Sequence, residues 1–185
     1  MFKQFYDDRI DSSQWLLEFF FHFKFFKNLI LNSKFKKIGR DTDIRPHTNF
    51  YGTRRIEIGD RVSIRDGAHI ASVSPGQAEG VKLVIGNDVL MGPNVMITTN
   101  SHRYSDPNKL IRDQGVIHRS VIIEDDVWIG RGVSILQGVT VGKGSVIGAH
   151  SVVNMSLPPY SVAAGIPAKV IKKRGEQAHH ENFNP

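Results

Sequence analysis

The sequence predicts a parallel β-helix, on three observations. Residues 123–158 fall into six consecutive blocks of six, IEDDVW, IGRGVS, ILQGVT, VGKGSV, IGAHSV and VNMSLP, each opening on an aliphatic residue (Ile123, Ile129, Ile135, Val141, Ile147, Val153). The fifth place of each block is small or aliphatic (Val127, Val133, Val139, Ser145, Ser151, Leu157), and glycine often follows the opener, as at Gly130, Gly142 and Gly148. Finally, a period of six fits neither a helix nor a plain strand, whose side chains repeat at about 3.6 and 2 residues. It fits short flat strands with a corner at every repeat. The opening aliphatics then stack inside the coil, and the glycines relieve crowding at the corners.

A chain of 185 residues is long enough for one domain with modest appendages. A hydrophobic share of 40% is ordinary, whereas 17 glycines fit a chain with many tight corners. A solenoid buries its core along its axis, so both ends need capping. With no cysteine, disulfides, cysteine-ligated metals and thiol nucleophiles are excluded, and a reducing cytoplasm is the expected setting. The formal charge of +6 is compatible with nucleic acid, an anionic membrane surface, an anionic small molecule, or a plain scatter of surface lysine and arginine.

Residues 1–37 are expected to form a helical cap or interaction segment. Met1–Asp11 mixes charges and has no apolar core ahead of a cleavage site, so no secretory signal is expected. Trp15–Leu31 reads WLLEFFFHFKFFKNLIL, and Asp11, Ser12 or Ser13 could cap a helix start there. Glu18, His22, Lys24, Lys27 and Asn28 interrupt the run before the ~18–20 apolar residues of a membrane span accumulate. Two readings remain open. One is a helix capping the solenoid or packing on a neighbouring subunit. The other is an interfacial helix over residues 12–37, followed by Lys34, Lys36 and Lys37 against anionic lipid.

The β-helix is expected over residues 38–174. The six-residue beat starts at Ile38, slips near Ile56 and resumes at Ile58. Residues 72–81 (SVSPGQAEGV) break it as a loop, it returns at Ile85, Met91 and Ile97, and residues 103–120 form a second, polar excursion. At three six-residue sides per turn, the whole gives roughly five coils. Pro158 and Pro159 are expected to end the last coil. Val170–Gln177 reads as a short basic helix, and 175–185 as a flexible tail.

A β-helix says nothing about chemistry by itself, but a loop leaving a regular solenoid often frames a site. His102, in TTNSHRYSDP, sits where regular coil meets the long excursion. An imidazole titrates near neutrality, as a general base needs; a corner histidine is the plainer alternative. His118, at the far end of that excursion, is placed to line the same space. His47, His69 and His150 fit stacking or surface positions, and no spacing resembles a zinc site. Asp106, Asp125 and Asp126 read as solvated turn acids, so no metal is expected. The glycines of IGRGVS and VGKGSVIGAH are all demanded by the six-residue beat, which removes a phosphate-loop reading.

The run DDVWIGRGVSILQGVTVGKGSVIGAHSVV…LPPYSVAAGIPAKVIKK resembles the left-handed β-helix acyltransferases with hexapeptide repeats. Within them it is similar to the galactoside, maltose and xenobiotic acetyltransferases and the O-acetyltransferases of bacterial surface polysaccharides. The motifs DDVWIG, PP-x-x-VAAG-x-PAKVI and the Asn-x-His at Asn100–His102 carry the resemblance together. Left-handedness comes from this resemblance alone, since parallel crossovers are otherwise right-handed.

The resemblance implies an acetyl-CoA-dependent acyltransferase with His102 as general base and direct attack on the thioester, without an acyl-enzyme. It places Trp128 near the thiol end of CoA, and Asn94, with Asn100 and His118, near the acceptor. It implies the backbone of Gly130, Ser145–Gly148 and Ala163, Ala164 and Gly165 along the pantetheine arm, and Lys169, Lys172, Lys173 and Arg174 at the phosphates. It further implies a homotrimer with sites between subunits, so that His102 and Trp128 can come from different chains.

Two departures matter. The N-terminal segment is unlike the helical module of the galactoside and maltose enzymes, and Met155 stands where relatives often carry a CoA-contacting lysine. The expected function is O-acetylation of a sugar or surface-polysaccharide precursor in a bacterial cytoplasm, at the inner face of the membrane if the Phe-rich segment touches lipid. Nucleic acid is not an expected partner. N-acetylation of a nucleotide-linked amino sugar, modification of an antibiotic and a non-catalytic scaffold are the alternatives.

Overall fold

The computed structural model describes residues 9–11, 31, 33–74 and 76–176. Its strands stack in three long ladders, the faces of a left-handed β-helix. Face 1 holds Lys37–Ile38, Ile56–Ile58, Leu83–Ile85, Val121–Ile123 and Thr140–Val141. Face 2 runs through Asp43–Ile44, Ser63–Ile64, Leu90–Met91, Trp128–Ile129, Val146–Ile147 and Ser161–Gly165. Face 3 holds Asn49–Tyr51, His69–Ala71, Met96–Thr98, Ser134–Ile135 and Val152–Val153. The chain visits the faces in that order, which makes five complete turns.

The repeat explains the core. Phe50, Ile70, Ile97, Ile135 and Val153 lie in register up face 3, each at most 1% exposed. Ile64, Met91, Ile129 and Ile147 form the matching rail on face 2, and Ile58, Ile85, Ile123 and Val141 that on face 1. Each such side chain contributes about 1.5–3 kcal/mol by burial. The fifth places, from Val127 to Leu157, fill the corners and are buried too.

The fourth place of most blocks turns the corner in the left-handed region, with φ of 58° at Asp88, Asn94 and Asp126 and 66° at Gly132. Glycine after the opener permits close stacking of turns: a Cβ on Gly142 would fall 2.4 Å from the Pro159 nitrogen. A side-chain ladder ties the corners between faces 1 and 2. The Arg40 N–H donates to Asp60 Oδ1 (2.8 Å), the Asp60 N–H to Asn87 Oδ1 (2.9 Å) and the Asn87 N–H to Asp125 Oδ1 (2.7 Å).

Leu31 and Phe35, each 3% exposed, close the first turn, and the Phe35 ring meets Phe50 edge-on at 4.9 Å. Arg9–Asp11 adds an antiparallel strand to Asn49–Tyr51. The rest of the Phe-rich segment, and so most of the helix expected over residues 12–37, lies outside the described residues. Among the described residues no helix is long and apolar enough to cross a membrane.

The C-terminal end corrects two expectations. Pro158 and Pro159 sit in a corner, and the chain makes one more side at Ser161–Gly165. The segment expected as a basic helix is instead a strand, Ala168–Lys173, folded back antiparallel on Ser161–Gly165. The reason is that a short segment pays helix nucleation for few hydrogen bonds, whereas the last turn presents strand edges that this hairpin covers.

All three breaks in the beat leave from one edge, between faces 3 and 1, on successive turns. The slip near Ile56 is a one-turn 3-10 helix, Thr53–Arg55. Residues 72–82 form the second excursion. The third is longer than the expected 103–120 loop and partly regular, since Asn100–His102 pairs antiparallel with Val116–His118.

Candidate active site

His102 ends the outgoing strand of that third excursion, opposite Val116, while Asn100 stands opposite His118. The hairpin is closed on both sides of this pairing. The Arg103 N–H donates to the Gly115 carbonyl (3.0 Å), and the Arg119 N–H to the Thr99 carbonyl (2.9 Å). Its outer end is braced by Gln114, whose Nε2 donates to the carbonyls of Asp106 (2.9 Å) and Lys109 (3.0 Å). Its root is tied to the solenoid by Thr99 N–H to the Ala71 carbonyl (3.1 Å) and Lys82 N–H to Ser120 Oγ (3.1 Å). The Thr98 hydroxyl donates to Asn100 Oδ1 at 2.9 Å, which orients that amide. The His102 side chain is exposed, and among the described residues its ring has no hydrogen-bond or ion-pair partner.

Among the described residues, Ser72 Oγ, Thr99 Oγ1 and His118 Nδ1 are buried polar atoms without a protein partner, Ser72 at the start of the second excursion and the other two in the third and its root. Buried polar groups are ordinarily hydrogen-bonded, so these atoms mark the roots of both excursions as polar. Sequence reading named only His118 of the three. Ser72 and Thr99 each directly follow a face-3 strand, where the chain leaves the coil, a position that could have singled them out.

Trp128 lies on face 2, 57% exposed, between Leu90 (54% exposed) and half-buried Val146 in the same register. Face 2 and the hairpin's edge are opposite sides of the coil, so one chain does not bring Trp128 and His102 together. Asn94 turns the corner between faces 2 and 3, with its amide over Gly67, and does not join the hairpin either.

The residues expected along the donor fall mostly on face 2 and its C-terminal hairpin. The N–H groups of Gly130 and Gly148 are spent on the carbonyls of Ile147 and Ala163 (2.8 Å each). The expectation for Ser145 concerns its backbone, and its side chain has a separate structural role. It is fully buried, its hydroxyl donates to the Pro158 carbonyl (3.1 Å) and accepts the Ser161 N–H (3.2 Å), and its side chain holds a corner rather than a ligand. Ala163 is buried, Ala164 half-buried, and Gly165 exposed at the hairpin turn.

Among the C-terminal cations, Arg174 is committed to Asp126 Oδ2 at 2.7 Å and to the Gly144 carbonyl at 3.1 Å, against its expected phosphate role. Lys172 Nζ donates to the Glu176 carbonyl and Lys173 Nζ to the Pro159 carbonyl, both at 3.3 Å. Lys169, opposite Ala164, is exposed. Asp125 and Asp126 therefore have structural partners, and among the described residues no group of three or more His, Asp or Glu could hold a metal.

Known proteins share this fold. Residues 120–154 match the family described as bacterial transferase hexapeptide (six repeats). The chain is 30% identical over 154 residues to the galactoside O-acetyltransferase of Escherichia coli K12, covering 83% of this chain and 71% of that one. It is 38% identical over 130 residues to the E. coli K12 protein named "Putative lipopolysaccharide biosynthesis O-acetyl transferase WbbJ", covering 66% of this chain and 63% of that one. Against "Probable acetyltransferase Rv3034c" of Mycobacterium tuberculosis it spans 43% of the relative's length at 40% identity over 131 residues, 65% of this chain. Among solved structures, a galactoside acetyltransferase in complex with coenzyme A superimposes with a TM-score of 0.66 at 30% identity, over 80% of this chain and 70% of that one. The chain belongs to the hexapeptide-repeat acyltransferase family.

Proposed function

We propose that this protein is an acetyl-CoA-dependent O-acetyltransferase acting on a hydroxyl of a sugar or surface-polysaccharide precursor. The observation that carries the reading is the placement of His102. Its exposed imidazole stands at the mouth of a braced hairpin, on the edge opposite the face that carries Trp128 and the C-terminal lysines.

In this reading three copies assemble so that the hairpin of one chain meets face 2 of the next. Trp128 and its apolar neighbours line the thioester end of the donor, and Lys169, with Lys172 and Lys173, meets the phosphates. The His102 imidazole removes the acceptor hydroxyl proton as the oxygen attacks the thioester carbonyl. The tetrahedral intermediate collapses, the C–S bond breaks, and the imidazolium returns the proton to the leaving thiolate, giving an acetyl ester and CoA. Asn100, Asn94 and His118 orient the acceptor. Relatives named for galactoside and lipopolysaccharide O-acetylation support a carbohydrate acceptor. Peripheral contact of residues 12–37 with a cytoplasmic membrane face fits an acceptor carried on lipid.

His102→Ala tests the reading. It is expected to lower acetyl transfer by roughly 10²–10⁴-fold, the range for a lost general base, while acetyl-CoA binding persists. Undiminished turnover would remove His102 from the chemistry.

A further inference from the structure

The first two excursions enclose a cleft at the N-terminal end of the solenoid, on the same edge as the His102 hairpin. It has a volume of about 290 Å³ and is lined by Lys36, Arg54, Arg55, Gly80, Val81 and Lys82. Four of the six lining residues are cations, and none is an acid. The nearby carboxylate, Glu57, lies outside the lining and is held by Lys36 at 2.8 Å. Glu79, one residue before the lining Gly80, is exposed and does not line the cleft either. Among the described residues Arg55 and Lys82 have no carboxylate within ion-pair distance, so the lining keeps a positive excess without counting Lys36 or Arg54.

Its walls are anchored by the fold. The Lys36 N–H donates to the Thr53 carbonyl (3.1 Å), and Arg55 Nη1 to the Val81 carbonyl (3.4 Å), so the first excursion is tied to the end of the second. Lys82 is fixed through its backbone, with its N–H on Ser120 Oγ and its carbonyl accepting the Val121 N–H (3.1 Å). Like charges repel, and a concave, low-dielectric surface focuses their field outward. Lysine supplies point charges and arginine a planar fork suited to phosphate oxygens. The size is at the lower end of small-molecule clefts, about 300 Å³, enough for a compact polyanionic group rather than a polymer.

We propose that this cleft binds a phosphate or diphosphate group, carried either by a soluble ligand or by a lipid headgroup. The inference does not depend on the acetyl-transfer reading. The lysines assigned above to the donor are at the other end of the solenoid, on the Ala168–Lys173 strand.

The test uses the full-length protein, Lys82→Glu, the milder Lys82→Gln, and Lys169→Gln for comparison. Lys82 is exposed at the side chain, and Lys82→Gln keeps the test usable if charge reversal disturbs folding. Calorimetric titration with inorganic pyrophosphate is run beside flotation on phosphatidylcholine vesicles with and without phosphatidylserine. A soluble source predicts a pyrophosphate site that is weakened about tenfold by Lys82→Glu, less by Lys82→Gln, and that persists in Lys169→Gln and when the donor site is filled with CoA. The affinity should fall as salt rises. A headgroup source predicts flotation only with phosphatidylserine, lost in the Lys82 variants, with weak or no pyrophosphate binding. The proposal is overturned if neither probe binds, if the Lys82 variants bind like the parent, or if only Lys169→Gln loses pyrophosphate.

Discussion

At the scale of the residue, the same side-chain types do two unlike jobs according to their place in the block of six. Ile129 is an opener with no exposed surface, stacked between Met91 and Ile147, whereas Trp128, one residue earlier, points outward and is 57% exposed. Ile129→Ala leaves a cavity that the flat neighbouring turns cannot collapse into. It should cost about 2–5 kcal/mol, read as a drop in unfolding free energy by denaturant titration. A loss below about 0.5 kcal/mol would mean the rail is more plastic than its packing implies.

The openers and the fifth places were legible because burial alone dictates them. What was not legible is the second job of Ser145, whose hydroxyl ties two turns together. Its commitment to Pro158 and Ser161 appears only when the next turn is stacked on it. The Arg174 pair was hidden for the same reason, since its carboxylate partner Asp126 is 48 positions away in sequence.

At the scale of the element, turns are joined by backbone ladders on the faces and by carboxylates at the corners and beside the first excursion. The Arg40 N–H and guanidinium hold the Asp60 carboxyl below the usual range; the Arg61 guanidinium, at 2.6 Å, does so for Asp88, and the Lys36 ammonium, chiefly, for Glu57. A carboxyl whose folded value is depressed stabilises the fold above its unfolded pKa, near 4, and that contribution is lost as pH falls through the lower folded value. All three groups are largely at the surface, so the effect is small and screened by salt. The melting temperature should be flat around neutrality with respect to these groups and should fall below about pH 4, less steeply in Asp88→Asn. Identical acid profiles for parent and variant would show that the corner pair contributes nothing.

The six-residue beat made the strands legible, but not the hairpin of residues 100–118, whose pairing is antiparallel and has no period in common with the coil. The C-terminal strand was missed for a related reason. AKVIKK carries no strong local preference, and the exposed edge of the last turn decides its conformation.

At the scale of the molecule, the five turns form a rod with unlike sides: one edge carries every excursion, and face 2 carries the Trp128 stripe and the lysine hairpin. His102 and Trp128 are kept apart within a chain, so the proposed site needs two. Mixing inactive His102→Ala and Trp128→Ala subunits, after dissociation and reassembly, should restore a fraction of acetyl transfer, because some interfaces then pair two intact surfaces. Failure of the mixture to exceed either variant, with mixed assemblies verified by mass, would argue for a site within one chain.

The claim on which the rest stands is that the donor is acetyl-CoA, and calorimetric titration of the full-length protein with acetyl-CoA tests it most directly. The account predicts one site per chain with a dissociation constant on the order of micromolar, retained in His102→Ala and weakened in Trp128→Ala. No heat and no saturation with acetyl-CoA, from a protein that melts cooperatively, would contradict it.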